Sequence, residues 1–175
     1  MSLETIHILL NIIMIFAAMY LICIGAFTYG LAVLSRGDNT DAALSHPRKI
    51  SVLIAARNEG KNIVKLLQSL DNQSYSKDYF EVIIVDDHSD DDTAEVVERF
   101  IGLHPGMKLK LLGAQGHGKK QAISQALHSA ENEIVMVTDA DCEPPKKWIE
   151  KMLAYYIKKD LKMLLGPVLL SPANT

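Results

Sequence analysis

Cysteine, tryptophan and excess basic charge are scarce in this sequence. Two cysteines and one tryptophan occur in 175 residues. Cys23 lies inside an apolar run and Cys142 beside an acidic triplet, so no spacing here supports a disulfide framework or a zinc site. A reducing, cytosolic setting for the soluble part is the expectation that follows. Lys and Arg number 18 against 21 Asp and Glu, a net charge of −3, which excludes the strongly basic face of a nucleic-acid binder. The six histidines are scattered singly, and none is assigned a catalytic role. Charge is also missing from the first fifth of the chain, where Glu4 is the only charged side chain before Arg36.

That charge-free stretch is long. Residues 8–34 are dominated by Ile, Leu, Met, Phe and Ala, and a helix needs ~20 apolar residues to cross ~30 Å of hydrocarbon. A cleaved signal peptide would start with a basic region and carry a shorter apolar core, whereas this start is acidic and its core long. Residues 1–36 are therefore expected to be a transmembrane anchor. Arg36, Arg48 and Lys49 follow it and no Lys or Arg precedes it, so the soluble part is expected in the cytoplasm, on the inner face of the cell membrane. Residues 37–48 are polar and without periodicity, which reads as a linker, and residues 49–175 as the folded part.

Beyond the linker, strand and helix patterns alternate. Residues 50–55 (ISVLIA), 81–85 (EVIIV), 108–112, 133–138 (EIVMVT) and 162–170 (KMLLGPVLL) read as five short buried strands. Between them, apolar residues recur at helical spacing: Ile63, Leu66, Leu67 and Leu70; Val96, Val97, Phe100 and Ile101; Ala122, Ile123, Ala126, Leu127 and Ala130. A further helix over residues 146–156 packs Trp148, Ile149, Met152, Leu153 and Tyr156 into the core, with Pro144 and Pro145 at its start. Alternation of this kind predicts an α/β fold, a mainly parallel sheet flanked by helices and Rossmann-like in its winding.

In such sheets ligands bind beyond the carboxyl ends of the strands. Four of those ends carry polar chemistry: Ala56-Arg57-Asn58-Glu59, Asp86-Asp87-His88-Ser89, the segment from Gly113 to Lys119, and Asp139-Ala140-Asp141. Asn58 can cap the first helix of the domain, and Asp90, Asp91 and Asp92 suit an acidic first turn of the next. Asp86 and Asp87 end a buried strand, a costly place for carboxylates unless a hydrogen-bonding group such as a base or ribose meets them. Asp139 and Asp141, one small residue apart, leave the same face of an extended backbone and can converge on one hard cation, Mg2+ or Mn2+, that also holds a diphosphate.

Taken together, K-I-S-V-L-I-A-A-R-N-E, E-V-I-I-V-D-D-H-S-D-D-D-T, G-K-K-Q-A-I-S-Q-A and V-M-V-T-D-A-D resemble the family-2 glycosyltransferases of GT-A fold, in order and in spacing, over residues 49–170. The anchor resembles that of bacterial membrane-bound members. The resemblance implies transfer of a sugar from a nucleotide-diphosphate donor, UDP-sugar by family habit, to a hydroxyl of a saccharide or lipid-linked acceptor, with inversion. It implies that Ala55, Arg57 and Glu59 line the nucleotide pocket, that one or both of Asp86 and Asp87 hold base or ribose, and that Lys119 approaches the donor. Asp139 then faces ribose and metal, and Asp141 the metal. The family's catalytic base lies downstream of the metal triplet, beyond Thr175, so the expectation is the donor-binding half of a domain truncated at its C-terminus. Two departures from the family pattern, Ala56 where Pro is common and Ser124 where Asn is, leave every charged position intact.

Two rivals remain at the level of sequence. Gly113 to Lys119 matches a Walker A loop through its lysine, but Lys120 stands where a P-loop NTPase needs Ser or Thr for magnesium. The other rival is a membrane protein that keeps nucleotide-sugar binding without catalysis.

Overall fold

A computed structural model of the chain describes residues 3–35 and 46–166. The expected linker therefore lies outside the described residues except at positions 46–48. By its contacts the chain divides into two units, Met1–Thr40 and Asp41–Thr175.

The first unit is the helix α1, Leu3–Ser35. At ~1.5 Å per residue it is about 50 Å long. Within it, the 30 residues Leu3–Ala32 have a mean hydropathy of 2.5, so one helix is long and apolar enough to cross a membrane. Its apolar side chains, such as Phe16, Ile22 and Phe27, are exposed all around, the pattern of a helix that has no core of its own. The hydroxyl of Thr28 donates to the carbonyls of Ile24 and Gly25, at 2.9 and 3.0 Å, which satisfies a polar group within the apolar stretch.

The second unit is built on four parallel strands: β1 (Ile50–Ala56), β2 (Phe80–Asp86), β3 (Leu109–Gly113) and β4 (Ile134–Val137), in spatial order β3-β2-β1-β4. The helices are α2 (Ile63–Asp71), α3 (Thr93–Leu103), α4 (Lys119–His128) and α5 (Trp148–Lys158). The central strands β1 and β2 are buried on both faces, which is why they read as unbroken apolar runs. Side-chain alternation sorts those runs into two layers. Val52, Ile54, Val82 and Ile84 face the larger core, which also holds Leu66, Leu67, Val97, Ile149 and Leu153 from α2, α3 and α5. Leu53, Ile83 and Val85 face Ala122 and Ala126 of α4, whose small side chains let that helix lie close to the sheet.

The fifth expected strand is corrected over its first five residues. Residues 162–166 are not strand, and Met163 and Leu165 are 72% and 80% exposed, while positions 167–170 lie outside the described residues. An apolar run becomes a strand only where a partner supplies hydrogen bonds and a packed face, and among the described residues no backbone ladder bond reaches positions 162–166. The proline pair also does less than expected: α5 starts at Trp148, three residues after Pro145, whose carbonyl accepts from the Trp148 N–H at 2.8 Å.

Register brings the strand ends into line. Ala56 pairs with Asp86 and Asp86 with Gly113, while β1 pairs with β4 as far as Leu53 and Val137. The chain runs outward from β1 to β2 and β3, then returns to the other side of β1 for β4. The crevice opens at that reversal, between β1 and β4, where doubly wound sheets place their ligands.

Candidate functional site

At this reversal lies a cleft of about 420 Å3 lined by Ala55, Arg57, Glu59, Asp87, Lys119 and Asp141, together with Ala56, Gly118, Asp139 and Ala140. Each of the four strand ends contributes. All the expected site residues except Asp86 reach this one cavity.

Asp86 turns the other way. Its carboxylate accepts from the backbone N–H of Ser89 at 3.3 Å and from the Ser89 hydroxyl, closing the loop after β2. Asp87 is 4% exposed and accepts from the Gly118 N–H at 2.8 Å. Its other oxygen lies 3.2 Å from Nδ1 of His88. Burial pushes the Asp87 carboxyl up, but the His88 ring, the Gly118 N–H and the Arg57 charge outweigh it, and the group is held below the usual carboxylate range. Asp87 is therefore an ionised acceptor at neutral pH. Gly118 reaches it in a left-handed conformation, φ 92°, that a side chain would strain.

The loop after β1 is tied to the loop after β2 as well as to its own helix, whose Ile63 N–H donates to the Glu59 carbonyl at 2.8 Å. Asn58 does not cap α2, whose cap position is Asn62 with no side-chain cap bond. Instead Asn58, at φ 56°, donates its N–H to the Ser89 hydroxyl at 3.0 Å and accepts from the Asp90 N–H at 2.8 Å. Asp91 accepts from the Gly60 N–H at 3.1 Å and from Thr93, whose hydroxyl, first among several donors, holds the Asp91 carboxyl below its ordinary value. A Cβ on Gly60 would fall 2.1 Å from an oxygen of the exposed Asp92 side chain, which would have to turn aside to admit it. The acidic run at residues 90–92 thus serves the loop junction, and the cap position of α3, Asp92, makes no side-chain cap bond.

Asp139 and Asp141 do not sit on an extended backbone. Strand pairing ends at Val137 and the Thr138 N–H makes a last bond to Leu53, after which the chain turns, the Cys142 N–H reaching the Asp139 carbonyl at 3.3 Å. Ala140 is 3% exposed and packs into the core, while the two flanking aspartates stay exposed. A small residue between them is what allows that turn to seat against the sheet. Lys119 Nζ contacts Asp139 Oδ1 at 2.6 Å, whereas among the described residues no cationic side chain pairs with Asp141. Exposed carboxylate oxygens of this kind suit a hard divalent cation, so the donor set fits Mg2+ or Mn2+.

Two features escaped the sequence reading. His88 and His117 stack, with ring centroids 4.3 Å apart, and with Asp87 they offer ligand atoms within 4.8 Å of one another. They are 29 positions apart in sequence, and only the pairing of β2 with β3 brings their loops together. The other is Glu81, buried at the opposite end of β2, where it accepts from the Ser51 hydroxyl at 2.6 Å, the Glu131 N–H at 2.8 Å and the Asn132 amide at 3.0 Å.

Comparison with known proteins gives this geometry a context. The model of glycosyl transferase family 2 matches residues 51–175. A beta-monoglucosyldiacylglycerol synthase of Synechocystis sp. is 32% identical over 117 residues, 66% of this chain and 24% of that protein. The mannosyltransferase PcManGT of Pyrobaculum calidifontis, solved with GDP-Man and Mn2+, superposes with a TM-score of 0.61 at 31% identity, over 76% of this chain and 39% of that one. Residues 1–349 of TarS of Staphylococcus aureus, solved with UDP-GlcNAc, give a TM-score of 0.57 at 29% identity, over 70% of this chain and 37% of that piece, and the chain covers 20% of the whole TarS protein. This chain thus spans between a fifth and two fifths of the length of these three proteins.

Proposed function

This chain belongs to glycosyl transferase family 2, its fold being the N-terminal half of a GT-A domain, and from that premise we propose that the cleft binds a nucleoside-diphosphate sugar, a UDP-sugar in preference, for metal-assisted transfer with inversion. The observation that carries the proposal is the convergence of Arg57, Glu59, Asp87, Lys119, Asp139 and Asp141 from four separate strand ends on one 420 Å3 cleft. The P-loop alternative fails on family membership. The neighbours that hold GDP-Man with Mn2+ and UDP-GlcNAc support the donor class.

Each role follows from the chemistry of the group. Asp87, ionised and buried, accepts hydrogen bonds from base or ribose, with Ala55, Arg57 and Glu59 closing the same pocket. Asp139 and Asp141 hold a divalent ion beside the diphosphate, Asp139 also facing the ribose. When bound, that ion would supply Lewis-acid charge to the departing nucleoside diphosphate. Lys119, 61% exposed on its side chain and already against Asp139, adds a positive charge where the leaving phosphate develops its own. The acceptor, a saccharide or lipid-linked hydroxyl, and the base that deprotonates it are assigned to the length of the relatives that this chain does not span. Residues 1–36 are proposed as the inner-membrane anchor, with residues 37–48 a linker and residues 49–175 on the cytoplasmic side.

Calorimetric titration of the full chain with UDP-sugars, in Mg2+, Mn2+ and chelator, tests the reading. Asp141→Asn is expected to weaken metal-dependent binding by about a hundredfold, or ~2.7 kcal/mol. Unchanged metal-dependent affinity in that variant overturns the metal assignment, and tighter binding of ATP than of any UDP-sugar overturns the donor class.

A further inference from the structure

We propose that Asp87, His88 and His117 form a second metal site beside the cleft, selective for a divalent transition ion of the zinc class. The three side chains offer one carboxylate oxygen and two imidazoles whose ligand atoms lie within 4.8 Å of one another. The pair Asp87 Oδ1 and His88 Nδ1 is 3.2 Å apart, close to the edge of a tetrahedron drawn with zinc bonds of ~2.0–2.1 Å, which is about 3.3 Å. His117 completes the set by a side-chain shift open to an exposed residue.

The loops are held as a ligand site requires. His88 has φ 57°, in the left-handed region that histidine visits more readily than most side chains, and the bonds around it hold the loop in that conformation. Ser89, bound to Asp86 and Asn58, anchors the chain on the far side of His88. His117 sits between Gly116 and Gly118, and the Gly118 N–H fixes the Asp87 carboxylate from its second oxygen at 2.8 Å. That bond orients the carboxylate from outside the ligand set and leaves its other oxygen for the ion. The His88 and His117 rings are stacked with their planes 25° apart, which keeps the two imidazoles adjacent, and binding one ion requires the exposed His117 ring to turn out of that stack so that its in-plane nitrogen lone pair converges with that of His88.

Donor chemistry separates this site from Asp139 and Asp141. Imidazole suits zinc, nickel and copper, whereas magnesium takes oxygen ligands and gives up its waters reluctantly. Three protein ligands leave one tetrahedral position open, as in sites where a further group binds the metal. Because Asp87 serves both this site and, under the function proposed above, the nucleotide, zinc and nucleotide should compete. The zinc site itself does not depend on that function.

The test uses the full chain in excess Mg2+, which occupies the oxygen site, and titrates Zn2+ alone without nucleotide. One equivalent should bind, His88→Ala and His117→Ala should each weaken it at least about tenfold, and His128→Ala, an exposed histidine on α4, should leave it unchanged. Co2+ should give visible absorption bands of a nitrogen-ligated ion in the unsubstituted chain and lose them in His117→Ala, while an unchanged circular dichroism spectrum shows that the variant folds. No zinc binding, or equal affinity in His117→Ala, overturns the site. A following UDP titration separates the two readings: histidine-dependent zinc binding with undiminished UDP affinity keeps the metal site and removes Asp87 from the nucleotide pocket.

Discussion

The two ends of the sheet carry carboxylates in opposite conditions, and β2 with the residue that follows it holds one of each kind. At its amino end Glu81 is 4% exposed and enclosed by the Ser51 hydroxyl, the Glu131 N–H, the Asn132 amide and Lys110 at 3.3 Å. Burial pushes the Glu81 carboxyl up, but those donors outweigh it and hold it below its usual range. At its carboxyl end Asp87 has its N–H partner and its histidine, but it borders an open cleft whose other carboxylates, Asp139 and Asp141, are exposed. A closed network spends its acceptors on the fold, whereas an open rim keeps them for a ligand. The difference is one of satisfaction rather than of charge.

The sharpest way to break the comparison is at the closed end. Glu81→Ala should cost about 2–4 kcal/mol of stability, because it removes the acceptor shared by the buried Ser51 hydroxyl and the part-buried Glu131 N–H and Asn132 amide. Urea unfolding measures it, and the surviving folded protein should bind nucleotide with unchanged affinity. A loss below ~1 kcal/mol would mean that the network contributes no more than a surface pair.

Acid should expose the same asymmetry more gently. Glu81 and Asp87 both have folded pKa values below their unfolded ones, so each contributes stability that is complete above the ordinary carboxylate pKa of ~4 and is lost as pH falls through the folded value. Unfolding free energy should therefore be flat from neutrality down to about pH 5 and fall below it. Glu81→Gln should flatten that fall. A slope unchanged by the substitution would place the titration elsewhere.

At the open end, Asp87→Asn should weaken UDP binding by about tenfold, since an amide still reaches the Gly118 N–H but no longer offers an ionised acceptor. Calorimetry checks the affinity and thermal unfolding the fold. A large fall in Tm with unchanged UDP affinity would move Asp87 into the class of Glu81.

How far each end was legible follows from the same contrast. The rim was readable because parallel strands are short apolar runs, so the polar residues that stop each run mark the ligand edge: Arg57, Asp87 and Asp139 each announce a strand end. Glu81 carried no such mark, because a glutamate at the start of EVIIV looks like any surface residue entering a strand, and its partners at positions 131 and 132 stand about fifty positions away. The His88 and His117 stack was hidden for the same reason. The run at residues 162–170 misled in the opposite direction over its described part, 162–166, whose composition suits a strand while Met163 and Leu165 are exposed. Local pattern finds where a strand can form. It does not find which side chains meet across the sheet.

The smallest expected effect compares two lysines. Lys119 contacts Asp139 at 2.6 Å and Lys110 contacts Glu81 at 3.3 Å, so distance alone would rank the rim pair as the stronger. Exposure reverses that ranking: both partners at the rim are more than half exposed, 61% and 53%, and water screens them, whereas the Glu81 carboxylate is almost wholly enclosed. Lys119→Met should therefore change stability by less than ~0.5 kcal/mol, within the scatter of urea unfolding. Its consequence belongs to binding: with no lysine to answer the diphosphate, nucleotide affinity should fall severalfold while the unfolding curve superposes on that of the unsubstituted chain. If the curve shifts and the affinity does not, the rim pair is a clasp of the fold and the sheet has two closed ends.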